Sequence, residues 1–82
     1  MSAFTVAYAP DAAAARNAMS PALRQRFDAG MAKLATDPYG AGSSAIRGER
    51  DRRDATVAGC FVVYYVARGA LRITAVRIQT PP

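Results

Sequence analysis

Seven consecutive apolar, β-favouring residues, Cys60-Phe61-Val62-Val63-Tyr64-Tyr65-Val66, do most to limit what this chain can become. Branched and aromatic side chains suit a pleated, packed surface. Because the run is continuous and not alternating, both of its faces are at least partly covered, which places it centrally in a sheet. Successive side chains still point to opposite faces. Cys60, Val62, Tyr64 and Val66 therefore form one set, and Phe61, Val63 and Tyr65 the other. Ala58-Gly59 before the run and Ala67-Arg68-Gly69-Ala70 after it read as tight turns. The run is then the middle of a meander, with a strand ending before Ala58 and a last strand over Leu71 to Gln79.

The N-terminal half has a different period. Phe4, Val6 and Tyr8 alternate with small residues, as a half-buried strand requires. Pro10-Asp11 ends that strand and opens a short, alanine-rich helix over Ala12 to Met19. Ser20-Pro21 then supplies an N-cap and a first-turn proline. From there Leu23, Phe27, Met31 and Leu34 recur at spacings of four, four and three, one stripe of an amphipathic helix. Gly30 interrupts it at a cost of roughly 1 kcal/mol relative to alanine, which suggests close packing against the first helix. Asp37-Pro38-Tyr39-Gly40 stops the second helix. Ser43-Ser44 reads as part of a loop, Ile46 as an isolated apolar anchor, and Arg47 to Asp54 as a solvated, charged loop. The expected order is β-α-α-β-β-β: a single α+β domain over residues 1–82, with a helical hairpin on one face of an antiparallel sheet.

Composition removes several classes of function. There is no histidine, and so neither the commonest general base nor a Ser-His triad. One cysteine, Cys60, allows no intrachain disulfide and makes a cysteine-based metal site improbable; it reads as a small buried apolar residue. No cofactor or metal is expected. No apolar run approaches the roughly 18 residues of a membrane span, and Met1-Ser2-Ala3-Phe4 lacks the start of a signal peptide. The expectation is a cytoplasmic protein. The net charge is +5, unevenly spread. Residues 1–45 carry a net of +1, whereas residues 46–82 carry +4, with Arg47, Arg50, Arg52, Arg53, Arg68, Arg72 and Arg77 against Glu49, Asp51 and Asp54. A basic C-terminal half suits a polyanion or an acidic protein partner.

The ordered set of features resembles the RelE/ParE superfamily of toxin–antitoxin toxins. The resemblance covers nearly the whole chain. It is carried by the opening strand Phe4-Thr5-Val6-Ala7-Tyr8 with Pro10, by a second helix ending in Asp37-Pro38-Tyr39-Gly40, and by Ile46-Arg47-Gly48. Val62-Val63-Tyr64 and Val76-Arg77-Ile78 complete it. The resemblance implies a toxin that cuts mRNA at the ribosome or, in the ParE manner, inhibits DNA gyrase without being an enzyme, and a cognate antitoxin that wraps it. It matches basic positions of the family at Arg47, Arg50, Arg52, Arg53 and Arg77, which would hold phosphates. The chain departs from the family where Thr56 replaces a basic residue, where Cys60-Phe61 replaces Tyr-Arg, and where Gln79-Thr80-Pro81-Pro82 follows the last strand in place of a Gly-basic-Arg segment. A catalytically degenerate, binding-only relative is a third reading.

Without histidine, RNA cleavage needs cations on the phosphate and another group to move protons. Arginine supplies the first but stays charged. Tyr39, Tyr64, Tyr65, Glu49 and Asp54 are the candidates for the second. Tyr64 has the parity of the core, Tyr39 follows a proline in a turn, and Glu49 and Asp54 balance arginines. Tyr65 shares a face with Phe61 and Val63. If Cys60, Val62, Tyr64 and Val66 face the helices, this aromatic stripe faces outward. It is expected to serve as a patch for an antitoxin segment or a second copy of the chain, with single-stranded nucleic acid as the other candidate.

Overall fold

The computed structural model describes residues 3–40 and 42–81. The chain begins with strand β1 (Thr5–Tyr8) and helices α1 (Pro10–Asn17) and α2 (Pro21–Leu34), then continues through strands β2 (Ser43–Ile46), β3 (Glu49–Val57), β4 (Cys60–Ala67) and β5 (Arg72–Gln79). Both helices carry proline in the first turn. Ser20 caps α2, its Oγ accepting the Leu23 backbone N–H at 3.2 Å. The strands form one sheet in the order β1-β5-β4-β3-β2, so the Cys60–Ala67 run is the central strand, as its composition requires. The four C-terminal strands are antiparallel, and β1 adds to β5 in parallel. Among the described residues, no helix is long and apolar enough to cross a membrane.

The helices cover one face of the sheet, α1 over β5 and α2 over β3. Between the layers lie Phe27 and Met31 of α2, Val57 of β3, Cys60, Val62 and Tyr64 of β4, and Ile73 and Ala75 of β5, all less than a tenth exposed. Burying apolar side chains of this size contributes about 1.5–3 kcal/mol each for the larger ones. An Arg16–Asp28 pair ties the two helices. Arg16 donates Nε to Oδ1 at 2.8 Å and a terminal nitrogen to Oδ2 at 2.5 Å, a bidentate arrangement. The guanidinium also lies 5.6 Å from the centre of the Tyr8 ring.

Three expectations are corrected. The charged stretch is strand and not loop from Glu49 onward, and the serine-containing loop is strand over Ser43–Ile46, which gives the sheet a fifth strand. Polar residues have weak intrinsic preference for strands, but the ladder offered by the apolar β4 run decides the matter. Within Glu49–Val57 the inward set is Arg53, Ala55 and Val57, all buried, and the outward set is Arg52, Asp54 and Thr56. Gly30 packs on the sheet and not on α1: a Cβ there would sit 2.6 Å from Val57 Cγ1. The Arg47-Gly48 and Ala58-Gly59 turns both place two residues at positive φ, 52° and 78° in the first, 51° and 80° in the second. That geometry matches the twist of a two-residue hairpin.

Candidate functional site

Among the described residues, the sheet face opposite the helices carries no layer of its own. Strand register builds it row by row. Phe61 lies between Thr56 and Gln79, Val63 between Asp54 and Arg77, and Tyr65 between Arg52 and Thr74. Beyond β3, Ser44 pairs with Asp54. Phe61 is 41% and Tyr65 44% exposed, whereas Tyr64 between them in sequence is fully buried. The result is an apolar stripe on the central strand with cationic and polar side chains on both flanks. The Arg52 guanidinium lies 5.8 Å from the centre of the Tyr65 ring, a cation–π distance. A bulge in β5 between the Arg77 and Ala75 pairings lets Arg77 share the face of Val63 despite the even count to inward-facing Ala75.

The five arginines matched to basic positions do not assemble into one site. Arg52 and Arg77 flank the stripe. Arg47 sits in the β2–β3 turn at positive φ. Arg50 and Arg53 gather instead around Tyr39, their guanidinium carbons 5.5 and 5.4 Å from its ring centre. Arg53 is only 8% exposed. It donates to Ser43 Oγ at 3.1 Å and to the Arg50 carbonyl at 3.1 Å, with no carboxylate partner among the described residues. Its side chain ties the start of β2 to β3, and its inward parity, shared with Ala55 and Val57, removes it from the open face. Tyr64 donates its hydroxyl to the Pro38 carbonyl at 2.6 Å. Burial pushes the Tyr64 phenol pKa up.

The candidate proton carriers separate in the same way. Tyr39 donates to Asp51 Oδ1 at 2.6 Å, and burial, followed by that bond, raises its pKa. Glu49 stands 3.9 Å from Arg52 with 63% of its side chain in solvent. Asp54 faces the stripe, half-buried, and forms neither an ion pair nor a side-chain hydrogen bond among the described residues. Cys60 is fully buried, and burial pushes its thiol pKa up, away from nucleophilic use. Sequence reasoning did not single out Arg72, Thr74 and Gln79 for this face; alternation along Leu71–Gln79 was the available signal, and the bulge obscures it beyond Ala75. A separate cleft of about 250 Å³ lies between α2 and the end of β3, lined by Gly30, Lys33, Leu34 and Val57 among others.

This arrangement places a helical hairpin on one face of a small sheet whose other face is open and flanked by arginines. The fold is shared with solved structures of RelE toxins. The isolated E. coli RelE toxin superposes with a TM-score of 0.80 over 98% of this chain and 86% of its own, at 13% identity. The intact E. coli RelBE toxin–antitoxin complex matches with a TM-score of 0.78 over 98% and 99% of the two chains, at 14% identity. The RelBE2 toxin–antitoxin complex of Mycobacterium tuberculosis gives 0.79 over 98% and 100%, also at 14% identity. No protein-family model and no curated protein matches the chain.

Proposed function

We propose that the chain is the toxin component of a bacterial type II toxin–antitoxin system, acting on translation by mRNA cleavage at the ribosome and neutralised by a cognate antitoxin protein. The observation that carries the reading is the open sheet face. Two aromatics and a valine stand together in solvent on the central strand, between Arg52 and Arg77. A small domain does not ordinarily leave such a stripe uncovered. Exposed rings beside arginines stack bases and hold phosphates. The same face, covered by an antitoxin segment with acidic groups toward the arginines, is closed to RNA, so one surface accounts for both toxicity and its control.

Induced expression in a bacterium, with and without the neighbouring gene, tests this. The expected result is arrest of protein synthesis and growth by the chain alone, and relief when the neighbour is co-expressed. Unchanged growth and unchanged synthesis would overturn it. One observation favours a second reading, a ParE-like inhibitor of DNA gyrase that acts by contact. The Thr56–Phe61–Gln79 row, a third of the stripe with its flanks, holds no charge at all, which suits a protein surface better than a phosphate. A supercoiling assay with purified protein separates the two. A cytoplasmic location follows from either target, and a homodimer through the stripe is the remaining way to cover it.

A further inference from the structure

We infer that Asp54 is the general base of this surface, working between Arg52 and Arg77 on single-stranded RNA laid across the Phe61–Val63–Tyr65 stripe. The inference rests on the mRNA-cleaving reading above and assigns its proton transfer. Three acids lie in the basic segment, and the structure gives each a different occupation. Asp51 receives the Tyr39 hydroxyl and stands 3.7 Å from Arg50. Glu49 neighbours Arg52 at the end of the β2–β3 hairpin. Asp54 alone lies within the stripe's own rows, and no side chain among the described residues engages it. A half-buried carboxylate left free, on a face otherwise cationic, is oriented for something that is not part of the chain.

The register places the chemistry. Asp54 and Arg77 flank Val63 from β3 and β5, about 10 Å apart across two strand spacings. Arg52, two residues along from Asp54 on the same face, is about 7 Å from it. Tyr65 is its diagonal neighbour, about 7–8 Å away. A phosphate over Val63 therefore meets a carboxylate on one side and a guanidinium on the other, with Arg52 behind the carboxylate. Phe61 and Tyr65, about 13 Å apart along β4, offer one ring to the base on each side of that phosphate. In the step itself, the Asp54 carboxylate takes the proton of the ribose 2′-hydroxyl. The 2′-oxygen pair forms a new bond to phosphorus as the bond from phosphorus to the 5′-oxygen breaks. Arg77 and Arg52 hold the charge that builds on the equatorial oxygens. The departing 5′-oxygen takes a proton from water, and the hydroxide left is neutralised by the proton on Asp54. The products are a 2′,3′-cyclic phosphate and a free 5′-hydroxyl.

The test uses the purified full chain with a fluorescent single-stranded RNA oligonucleotide and, separately, with ribosomes programmed with mRNA. Cleavage rate, KM and product ends are measured for the parent and for Asp54→Asn, Asp54→Glu and Arg77→Ala. Asp54→Asn is expected to lower kcat at least 100-fold with KM within about threefold of the parent. Asp54→Glu should restore at least a tenth of the parent rate, and Arg77→Ala should lower kcat at least tenfold. Thermal unfolding of Asp54→Asn within a few degrees of the parent excludes a folding defect; the outward position of the side chain makes that the expected result. An Asp54→Asn protein that cleaves as fast as an active parent overturns the assignment and leaves the cleavage reading intact. A parent that cuts neither substrate overturns both.

Discussion

Replacing Tyr64 and Tyr65 separately by phenylalanine removes the same atom from adjacent residues and should give opposite results. The Tyr64 hydroxyl is fully buried and donates to the Pro38 carbonyl at 2.6 Å. Tyr64→Phe keeps the ring and leaves that carbonyl without its donor, so the cost is the net hydrogen bond plus the desolvated acceptor, about 1–2 kcal/mol. For 82 residues the unfolding entropy near 60 °C is roughly 0.17 kcal/mol/K, so the melting temperature should fall by about 6–12 °C. The Tyr65 hydroxyl stands on the open face, and Tyr65→Phe should lie within about 0.5 kcal/mol of the parent. Circular dichroism melts of the three proteins at one concentration decide this. Amide exchange should also quicken around Asp37–Gly40 in Tyr64→Phe, because that segment loses one of its ties to the sheet. Equal melting temperatures for the two variants would refute the reasoning, as would a larger loss in Tyr65→Phe.

Other outcomes follow from the packing and the ion pairs. Gly30→Ala should destabilise the chain by about 1 kcal/mol despite alanine's better helix propensity, since its Cβ would press on Val57 Cγ1; urea unfolding of Gly30→Ala, Val57→Ala and the double variant should show favourable coupling between the two. Asp28 is held below its usual pKa, first by the hydrogen bonds from Arg16 and then by that guanidinium's charge. Because the folded form is depressed, its stabilisation is present above the unfolded carboxylate range, near pH 4, and is lost as pH falls through the folded pKa. Arg16→Ala should therefore flatten the acid side of a stability–pH curve. Both partners are partly exposed, so added salt should reduce the effect. Phe61→Ser should leave the melting temperature nearly unchanged and weaken binding of the proposed antitoxin at least tenfold by calorimetry; unaltered affinity would remove the stripe from the interface.

The features most legible in the sequence were those set by apolar periodicity. The Leu23, Phe27, Met31 and Leu34 stripe gives α2, Ser20-Pro21 gives its start, and the continuous Cys60–Val66 run gives the central strand with the correct split between Tyr64 and Tyr65. The charged strand was not legible, because Glu49 to Asp54 has neither apolar alternation nor β-favouring residues; its state is imposed by pairing with β4, a contact that a local reading does not contain. The same pairing sorts the arginines that were expected to hold phosphates. Once Glu49–Val57 is a strand, alternation sends Arg53 to the helix side and Arg52 to the open side. Gly30 was misread for a similar reason: its neighbour Val57 is 27 residues away in the chain.

The parallel pairing of β1 with β5 couples the beginning of the chain to a strand made much later. Thr5 is opposite Arg72, 67 residues downstream. At about 5–20 residues per second, β1 waits roughly 3–13 s during synthesis before its partner strand exists. In that interval α1 has no β5 to rest on, and Phe27 and Met31 have no completed sheet beneath them. The fold therefore closes late, as a single long-range event, and the open face with its arginines does not take shape on a partly made chain. The stripe and its flanking arginines thus become a surface only once β3, β4 and β5 have all been made.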